Sequence, residues 1–387
     1  MPGRSYAPRE MIEALIGFDT TSRNSNMELI RFVTKFLDGH GVPYELIPNE
    51  DGTKANLFAT IGPDVPGGVV LSGHTDVVPV DGQDWHTDPF EVVEKDGRLY
   101  GRGTCDMKGF VATALAMVPE FLKRKPERPI HLALSYDEEV GCTGVVPMIG
   151  WLAQRANKPR AVIVGEPTSM TVVNANKGIR SFRTTVTGHE VHSSLVDSSV
   201  NAVMVAGELI AFLNRLAAEM RGRPDTRGIF DPPHTTISVG RIEGGTAVNI
   251  TAKECSFIWE CRALPEQDDS EVIERFNSHA EELLPGLKAR AEAADIATEQ
   301  LARAPGLKLE EGSPAETLAL RLAQQNETRA VAYAAEAGLF QAIDLPTVIC
   351  GPGDIAQAHQ PNEFIELSQI DACQHFLRRL AEEMGEG

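Results

Sequence analysis

Stretches that would mark a membrane or secreted protein are missing from this 387-residue chain. No apolar run reaches the roughly 20 residues that a transmembrane helix needs, and the first residues lack the basic and then apolar profile of a secretory signal. Positive charge is also scarce: the chain has 36 lysines and arginines and 55 acidic residues, which gives a net charge of -19. A deficit of this kind argues against nucleic acid and anionic membranes as partners. We therefore expect a cytoplasmic protein that binds neither.

Paired cysteine motifs are absent as well. The six cysteines, at positions 105, 142, 255, 261, 350 and 373, form no C-x-x-C pair and lie in or beside apolar segments. Free, mostly buried thiols in a reducing cytosol explain this pattern better than disulfides do. Internal repeats and low-complexity tracts are also missing, so a chain of this length is expected to form two ordinary globular domains.

Strands and helices alternate over the first part of the chain. The clearest predicted strands are Ala55–Ile61, Gly68–Leu71, Ile130–Ser135 and Ala161–Val164, with helical patterns between several of them. The same texture returns near the C-terminus around the strand Thr347–Cys350. This alternation is typical of an α/β domain with a mixed, mostly parallel sheet.

The pattern changes between residues 180 and 297. The predicted elements there run strand, helix, strand, strand, helix, strand, with the last strand placed at Leu287–Ile296. This is the element order of a ferredoxin-like α+β unit. We therefore predict one domain over residues 1–179 and 298–387, and a second domain over residues 180–297 that is inserted into the first.

Side chains able to bind metal follow the predicted strands of the first domain. They are His74, Glu138, Glu139, Glu166 and His359, joined by Asp106 in a glycine-rich loop before a helix. Because the carboxyl ends of the strands form the functional crevice of an open α/β sheet, we expect these residues to converge. Two histidines and several carboxylates suit Zn²⁺, Co²⁺ or Mn²⁺, and they suffice for two ions about 3.5–4 Å apart.

Each candidate has a simpler interpretation when it is taken alone. The carboxylates at 137–139 are compatible with a solvated acidic turn, and Asp106 with a helix cap. A single histidine after a strand is more often a satisfied polar group than a ligand, and Glu166-Pro167 reads as an ordinary turn. The placement of all six candidates near the ends of predicted elements makes this joint reading improbable.

Five segments together resemble the M20 family of dinuclear zinc amidohydrolases. They are Gly73–Pro79, Gly101–Gly109, Asp137–Gly141, Gly165–Thr168 and Ala358–Glu363. The resemblance extends over almost the whole chain. Within the family, the chain looks most like the acetylornithine deacetylase branch, through Trp259–Pro265 and the stretch from Glu336 to Pro361.

The resemblance implies a zinc-peptidase-like catalytic domain and a role for each metal-binding candidate. Asp106 would bridge two divalent metal ions. His74 and Glu166 would complete one site, and Glu139 and His359 the other. Zn²⁺ is the ion first expected, with Co²⁺ or Mn²⁺ as alternatives.

Two further roles at this centre concern protons and orientation. Glu138 would be the general base, which takes a proton from the attacking water and delivers it to the leaving amine. Asp76, two residues after His74, would orient the His74 imidazole from outside the ligand set. The family also has a cis peptide after the bridging aspartate, which corresponds here to Asp106–Met107.

The resemblance assigns residues to the substrate as well. His192 would reach the active site of the partner subunit and steady the oxyanion. Asn249, Arg262 and Gly353 would bind the substrate, and arginine suits the bidentate recognition of a carboxylate. Without the resemblance, Asn249 reads as a turn residue and Arg262 as a surface arginine.

The implied reaction is metal-dependent hydrolysis of the N-acetyl amide of a small N-acetyl amino acid. The substrate first expected is N2-acetyl-L-ornithine, which would place the enzyme in arginine biosynthesis. Other M20 activities stay open: succinyl-diaminopimelate desuccinylase, acetyl-diaminobutyrate deacetylase, aminoacylase and dipeptidase. A non-catalytic binding protein on the same fold is disfavoured, because Glu138 and all five ligands are retained. The partner implied is a second copy of the chain, bound through the inserted dimerisation (lid) domain.

Overall fold

The computed structural model describes residues 3–385. The α-helices are α1 Pro8–Ile16, α2 Met27–His40, α3 Lys108–Ala116, α4 Val118–Lys123, α5 Val146–Ala153, α6 Ala202–Arg221, α7 Glu271–Lys288, α8 Pro314–Ala323, α9 Ala337–Gln341 and α10 Leu367–Met384. The strands are β1 Tyr44–Pro48, β2 Ala55–Ile61, β3 Val69–His74, β4 Val93–Lys95, β5 Arg98–Tyr100, β6 Ile130–Ser135, β7 Ala161–Pro167, β8 Val173–Asn176, β9 Ile179–Thr187, β10 Thr236–Gly244, β11 Glu254–Arg262, β12 Asp295–Ala304, β13 Arg329–Val331, β14 Thr347–Gly351 and β15 Phe364–Glu366. Among the described helices, none has the length and apolarity needed to span a membrane.

By contacts, the chain divides into two compact units. One contains the chain up to Ala175, Leu307–Ala330 and the chain from Ala335 onwards. The other contains Asn176–Gly306 and Val331–Ala334. The assignment of residues 180–297 to a separate domain, with residues 1–179 and 298–387 as the other, stays a prediction.

The first unit is built on a mixed sheet with the strand order β1-β2-β6-β3-β7-β14-β8-β13. Its central neighbours β6, β3, β7 and β14 are parallel, whereas β2 and β8 pair antiparallel with them. Every residue of the four central strands is buried, as expected for parallel strands covered on both faces. The predicted α/β class is confirmed, and the carboxyl ends of these four strands lie side by side.

Two glycines allow α3 to approach this sheet closely. A Cβ atom on Gly165 of β7 would lie 2.1 Å from Phe110 Cδ1, and one on Gly73 of β3 would lie 2.8 Å from Val111 Cγ2. Both contacts are too short for a real side chain, so the packing of α3 requires glycine at these positions. This close approach brings the segment just before α3, which contains Asp106, to the ends of β3 and β7.

The second unit has the predicted ferredoxin-like order. Its antiparallel sheet runs β10-β11-β9-β12, and α6 and α7 pack on one face. The alternation of buried residues along β11 follows from this one-sided cover. Trp259 lies at the centre of the core, stacked on Phe182 at 4.5 Å between ring centroids, with Phe276 at 4.9 Å.

Three details of the sequence prediction were wrong. The last strand of the second unit was expected at Leu287–Ile296 but lies later in the chain, at Asp295–Ala304, because α7 continues through Lys288 and buries Leu287 in the core. The single helix expected after the Asp106 loop is two helices, α3 and α4, since Pro119 lacks an N–H and α4 begins next to it. The short strands β8 and β13 were not predicted.

Replacing Gly165 by alanine should destabilise the protein. The added methyl group overpacks the contact with Phe110, and overpacking of this kind typically costs about 1–3 kcal/mol of the free energy of unfolding. Urea unfolding followed by circular dichroism measures the change. Gly150→Ala is the matched control, because nothing lies within 4 Å of its Cβ position and it stands inside α5. Equal stability of the two variants would contradict the prediction.

Candidate metal centre

The four central strands deliver the candidate ligands to one edge of the sheet. His74 is the last residue of β3, and Glu138 and Glu139 follow β6 by a short turn. Glu166 is the penultimate residue of β7, so it lies inside the strand rather than after it. His359 follows β14 after a short 3₁₀ turn at Ile355–Gln357.

Asp106 stands between the two histidines. Its Oδ1 lies 3.1 Å from His74 Nε2, and its Oδ2 lies 3.4 Å from His359 Nε2. One carboxylate thus presents a different oxygen to each imidazole, which is the arrangement that a bridging ligand needs. The Asp106–Met107 peptide is cis.

The remaining carboxylates complete two groups of ligand atoms. Glu139 Oε2 lies 2.9 Å from His359 Nε2, and Glu166 Oε1 lies 3.8 Å from His74 Nε2. Ligand atoms of His74, Asp106 and Glu139 all lie within 4.8 Å of one another, and so do those of His74, Glu138 and Glu166. All six candidates that the sequence singled out are therefore brought together.

Burial and neighbouring charges shift the pKa values of the candidate ligands. Burial and the nearby Asp106 charge raise the pKa of Glu139 to about 7. Burial, together with Asp106 and Glu138, raises the pKa of Glu166 well above its usual range. Burial of the His74 imidazole opposes its charge, but its hydrogen bond to Asp106 and the carboxylates around it raise the pKa of His74 well above normal. Hydrogen bonds to Asp106 and Glu139 raise the pKa of His359 to about 10.

These residues fit a divalent cation. Glu166 Oε1 is buried and has no hydrogen-bond partner among residues 3–385, although buried carboxylate oxygens are normally satisfied. Several carboxylates share one buried space, where a cation removes the repulsion between them. Imidazole nitrogens and carboxylate oxygens are also ligands that Zn²⁺ and related ions accept. The donor set is therefore that of a divalent metal site.

Glu138 is held by neighbours that do not belong to the ligand set. Its backbone N–H donates to Asp76 Oδ1 at 3.1 Å, and its Oε1 accepts from the Cys142 thiol at 3.2 Å. Burial and the charges of Glu139 and Glu336 raise the pKa of Glu138 well above its usual range, although His74 opposes the shift. A carboxyl group with a raised pKa in such a site is suited to proton transfer.

Asp76 contacts His74 through its backbone and supports the acidic turn with its side chain, while its predicted role in orienting the imidazole stays a prediction. The His74 Nδ1 atom contacts the backbone carbonyl of Asp76 at 2.9 Å, whereas the Asp76 carboxylate is 3.6 Å away. That carboxylate instead accepts the backbone N–H groups of Glu138 and Glu139, at 3.1 and 3.3 Å, and the Ser22 hydroxyl at 2.7 Å. The backbone of Asp76 thus contacts the imidazole, and its side chain holds the acidic turn in place.

Sequence reasoning missed two buried charges behind the Asp106 loop. Arg102 Nη1 donates to Glu363 Oε2 at 2.7 Å, and both side chains are almost fully buried. Glu363 also accepts the backbone N–H groups of Gly103, Cys105 and Asp106. Both residues lie in segments that carry the family resemblance. An arginine in one such segment and a glutamate in another could have suggested an ion pair.

The predicted substrate residues lie in both units. In the second unit, His192 Nδ1 accepts the backbone N–H of Ser194 at 3.2 Å, and Arg262 Nε donates to Glu260 Oε1 at 2.8 Å. Asn249 is on an exposed loop, where its carbonyl accepts the Ser193 N–H. In the first unit, Gly353 has a φ of +90° and packs against Cys105. The roles of these four residues in substrate binding and catalysis stay predictions.

Asp76→Asn should weaken metal binding without unfolding the protein. An amide offers one acceptor oxygen in place of two, so the Glu138–Glu139 turn loses part of its support. Loss of outer groups that orient ligands typically costs about 10–100-fold in metal affinity. Calorimetric titration of the metal-free protein with Zn²⁺ measures the loss. Asp51→Asn, in a surface turn closed by Thr53, is the matched control, and equal affinities for the two variants would contradict this role.

Comparison with known proteins agrees with this geometry. Residues 70–383 match the peptidase family M20/M25/M40. The chain is 35% identical to an acetylornithine deacetylase of Myxococcus xanthus and 32% identical to one of Pasteurella multocida, with 96% of each chain covered in both cases. An M20 family metallo-carboxypeptidase of Sulfolobus solfataricus shares the fold with a TM-score of 0.78 at 17% identity, over 97% of this chain and 99% of that one. The chain therefore belongs to peptidase family M20/M25/M40 and is a metal-dependent amidohydrolase of that family.

Proposed function

We propose that this protein hydrolyses the N-acetyl amide of N2-acetyl-L-ornithine and releases L-ornithine and acetate, a step of arginine biosynthesis. The position of the Asp106 carboxylate between His74 and His359 carries the reaction type. The identity to acetylornithine deacetylases over nearly the whole chain supports the substrate. The net charge of -19 is compatible with a cationic side chain in that substrate.

In this proposal five residues hold two divalent ions, with Zn²⁺ first and Co²⁺ or Mn²⁺ as alternatives. Asp106 would serve both ions, His74 and Glu166 would bind one, and Glu139 and His359 would bind the other. Such ions supply Lewis acidity, which polarises the amide carbonyl and lowers the pKa of a bound water. The contacts of Glu139 with His359 at 2.9 Å and of Glu166 with His74 at 3.8 Å support this division of the ligands.

Glu138 moves the proton. Its carboxylate takes a proton from the attacking water and then delivers it to the nitrogen of the leaving amine, which must be protonated before the C–N bond breaks. Two features support this role: its backbone is fixed by Asp76, and its pKa is raised by burial. The Cys142 thiol, which donates to Oε1, leaves Oε2 for the reacting groups.

His192 steadies the oxyanion of the tetrahedral intermediate. Its Nδ1 accepts the Ser194 N–H at 3.2 Å and contacts the Ser194 hydroxyl at 2.8 Å. An acceptor at Nδ1 places the proton of the neutral ring on Nε2, which becomes a donor. A donor of this kind is what an oxyanion requires.

We expect a homodimer that pairs through the second unit. Strand β10 is a mostly exposed edge of the sheet, and unpaired edges favour association. Large apolar side chains are exposed in the same unit: Leu195, Val196, Met204, Val248 and Ile250. The 245–250 loop lies near Val203 of α6, and Ile250 pairs with His192. An apolar surface that adjoins His192 is suited to a second copy of the chain.

Substrate selection is assigned to Arg262, Asn249 and Gly353. Glu260 accepts from Arg262 Nε at 2.8 Å and from Nη2 at 3.5 Å, so Nη1 of the guanidinium serves the substrate carboxylate. The buried, free cysteines support a reducing compartment, and we place the enzyme in the cytoplasm.

A panel of amide substrates tests the proposed reaction. Zinc-loaded protein is assayed with N-acetyl-ornithine, N-acetyl-methionine, N-succinyl-diaminopimelate, N-acetyl-diaminobutyrate and a dipeptide. We expect the highest kcat/KM for N-acetyl-ornithine, by at least tenfold. A higher kcat/KM for any other compound would assign the enzyme to that activity instead.

Glu138→Gln serves as the catalytic control for the panel. Since one residue serves both proton transfers, we expect kcat to fall by about 10⁴-fold or more, the upper end for general acid–base catalysis, while both metal ions stay bound. Metal loss in this variant would identify Glu138 as a ligand, and a kcat within tenfold of the wild type would assign proton transfer to another group.

Complementation between inactive variants tests the action of His192 on the partner subunit. His192→Ala and Glu138→Ala are mixed, and subunit exchange is shown with two differently tagged chains. Each mixed dimer then has one intact site, so a random mixture should recover about a quarter of wild-type activity. Exchange without recovery would contradict action in trans.

A further inference from the structure

His359 is the least enclosed of the candidate ligands. Its side chain is 56% exposed, whereas the side chains of His74, Asp106, Glu139 and Glu166 are each at most 7% exposed. It stands on the loop after β14 with a φ of +62°. Packing alone therefore does not position this imidazole, and its hydrogen bonds carry more of that task.

One such bond is donated by Gln83. Gln83 Nε2 donates to the backbone carbonyl of His359 at 2.9 Å. The other end of the same amide is occupied, because Gln83 Oε1 accepts from Trp85 Nε1 at 3.1 Å and from Arg102 Nη2. The Gln83 amide is thus held in one orientation, with its NH₂ group towards the His359 loop.

Arg102 and Glu363 continue this chain of contacts to the other ligand loop. The Arg102 guanidinium lies 5.2 Å from the centre of the Trp85 ring and donates to Glu363 at 2.7 Å. Glu363 accepts the backbone N–H of Asp106 at 3.0 Å and that of Cys105 at 2.8 Å. One continuous network therefore joins the backbone of Asp106 to the backbone of His359.

A purely stabilising role explains this network poorly. A buried ion pair often contributes little net stability compared with apolar residues of the same volume. The network instead contacts the backbones of Asp106 and His359, and the side chains of these two residues lie 3.4 Å apart. Orientation of ligands from outside the metal's own shell is a common device in metal sites.

We propose that Gln83, Arg102 and Glu363 are positioning residues that set the placement of His359 relative to Asp106, and so the affinity of the ion that these two ligands share. This inference rests on the metal ligation proposed above. It predicts that a change at Gln83 weakens the ion held by His359 and leaves the ion held by His74 and Glu166 unaffected.

Gln83→Leu is the test variant, because it removes both ends of the amide at a half-buried site and leaves the ion pair of Arg102 and Glu363 intact. The matched control is Gln341→Leu, a half-buried glutamine that bonds the backbone N–H and carbonyl of Lys308. Both proteins are stripped of metal and titrated with Zn²⁺ by calorimetry and with Co²⁺ by visible absorption.

We expect one of the two binding steps to weaken about 10–100-fold in Gln83→Leu, with a changed Co²⁺ absorption band, and both steps to match the wild type in Gln341→Leu. Trp85→Phe, which removes one of the two donors to Gln83 Oε1 and keeps an aromatic ring beside Arg102, should produce a smaller loss in the same step. Wild-type affinities and an unchanged band in Gln83→Leu would overturn the proposal, as would equal losses in the control.

His359→Ala separates this inference from the proposed function. If His359→Ala loses one ion and Gln83→Leu keeps both at wild-type affinity, the positioning role is wrong and the ligand assignment stands. If His359→Ala keeps both ions, the ligand assignment itself is wrong and the positioning role falls with it.

Discussion

Electrostatic repulsion among buried carboxylates is the constraint on which the rest of the first unit depends. Glu138, Glu139, Glu166 and Asp106 share one edge of the sheet with His74 and His359. Burial raises the pKa of three of these carboxyl groups, so the arrangement is costly when no cation is near. Only a rigid scaffold keeps such groups together, and four fully buried parallel strands provide it.

The scaffold acts through backbone positions as much as through side chains. The Asp76 carboxylate holds the N–H groups of the acidic turn, and Glu363 holds those of the Asp106 loop. Carboxylates that accept backbone N–H groups form strong, directional bonds. Negatively charged residues therefore have two uses in this unit, as candidate metal ligands and as anchors for the loops that carry them.

The second unit combines a buried apolar core with exposed apolar side chains. Its sheet is covered by helices on one face, and it leaves large apolar side chains exposed near His192. In a unit of this size the apolar core around Trp259 supplies the stability. The Nδ1 bond of His192 to Ser194 shows how a short loop selects the tautomer of a histidine.

The central strands and the candidate metal ligands could be predicted from the sequence, because local residue patterns encode both. Alternating residues mark β11, and continuous apolar runs identify the central strands. The convergence of His74, Glu139, Glu166 and His359 follows from the rule that functional residues gather at the carboxyl ends of parallel strands. The last strand of the second unit was predicted too early, at Leu287–Ile296. A short apolar run does not distinguish a helix from a strand, and Leu287 is buried by the end of α7.

The sequence by itself thus determined the fold class, the family and the residue types of the metal site. The tertiary structure alone decided that the Asp76 carboxylate holds the acidic turn while its backbone carbonyl contacts His74. It also decided that Gln83 bonds a carbonyl 276 residues away and that Glu363 bonds an N–H 257 residues away. Contacts at such separations depend on how loops meet after the sheet has formed, and no periodic pattern in the chain records that meeting.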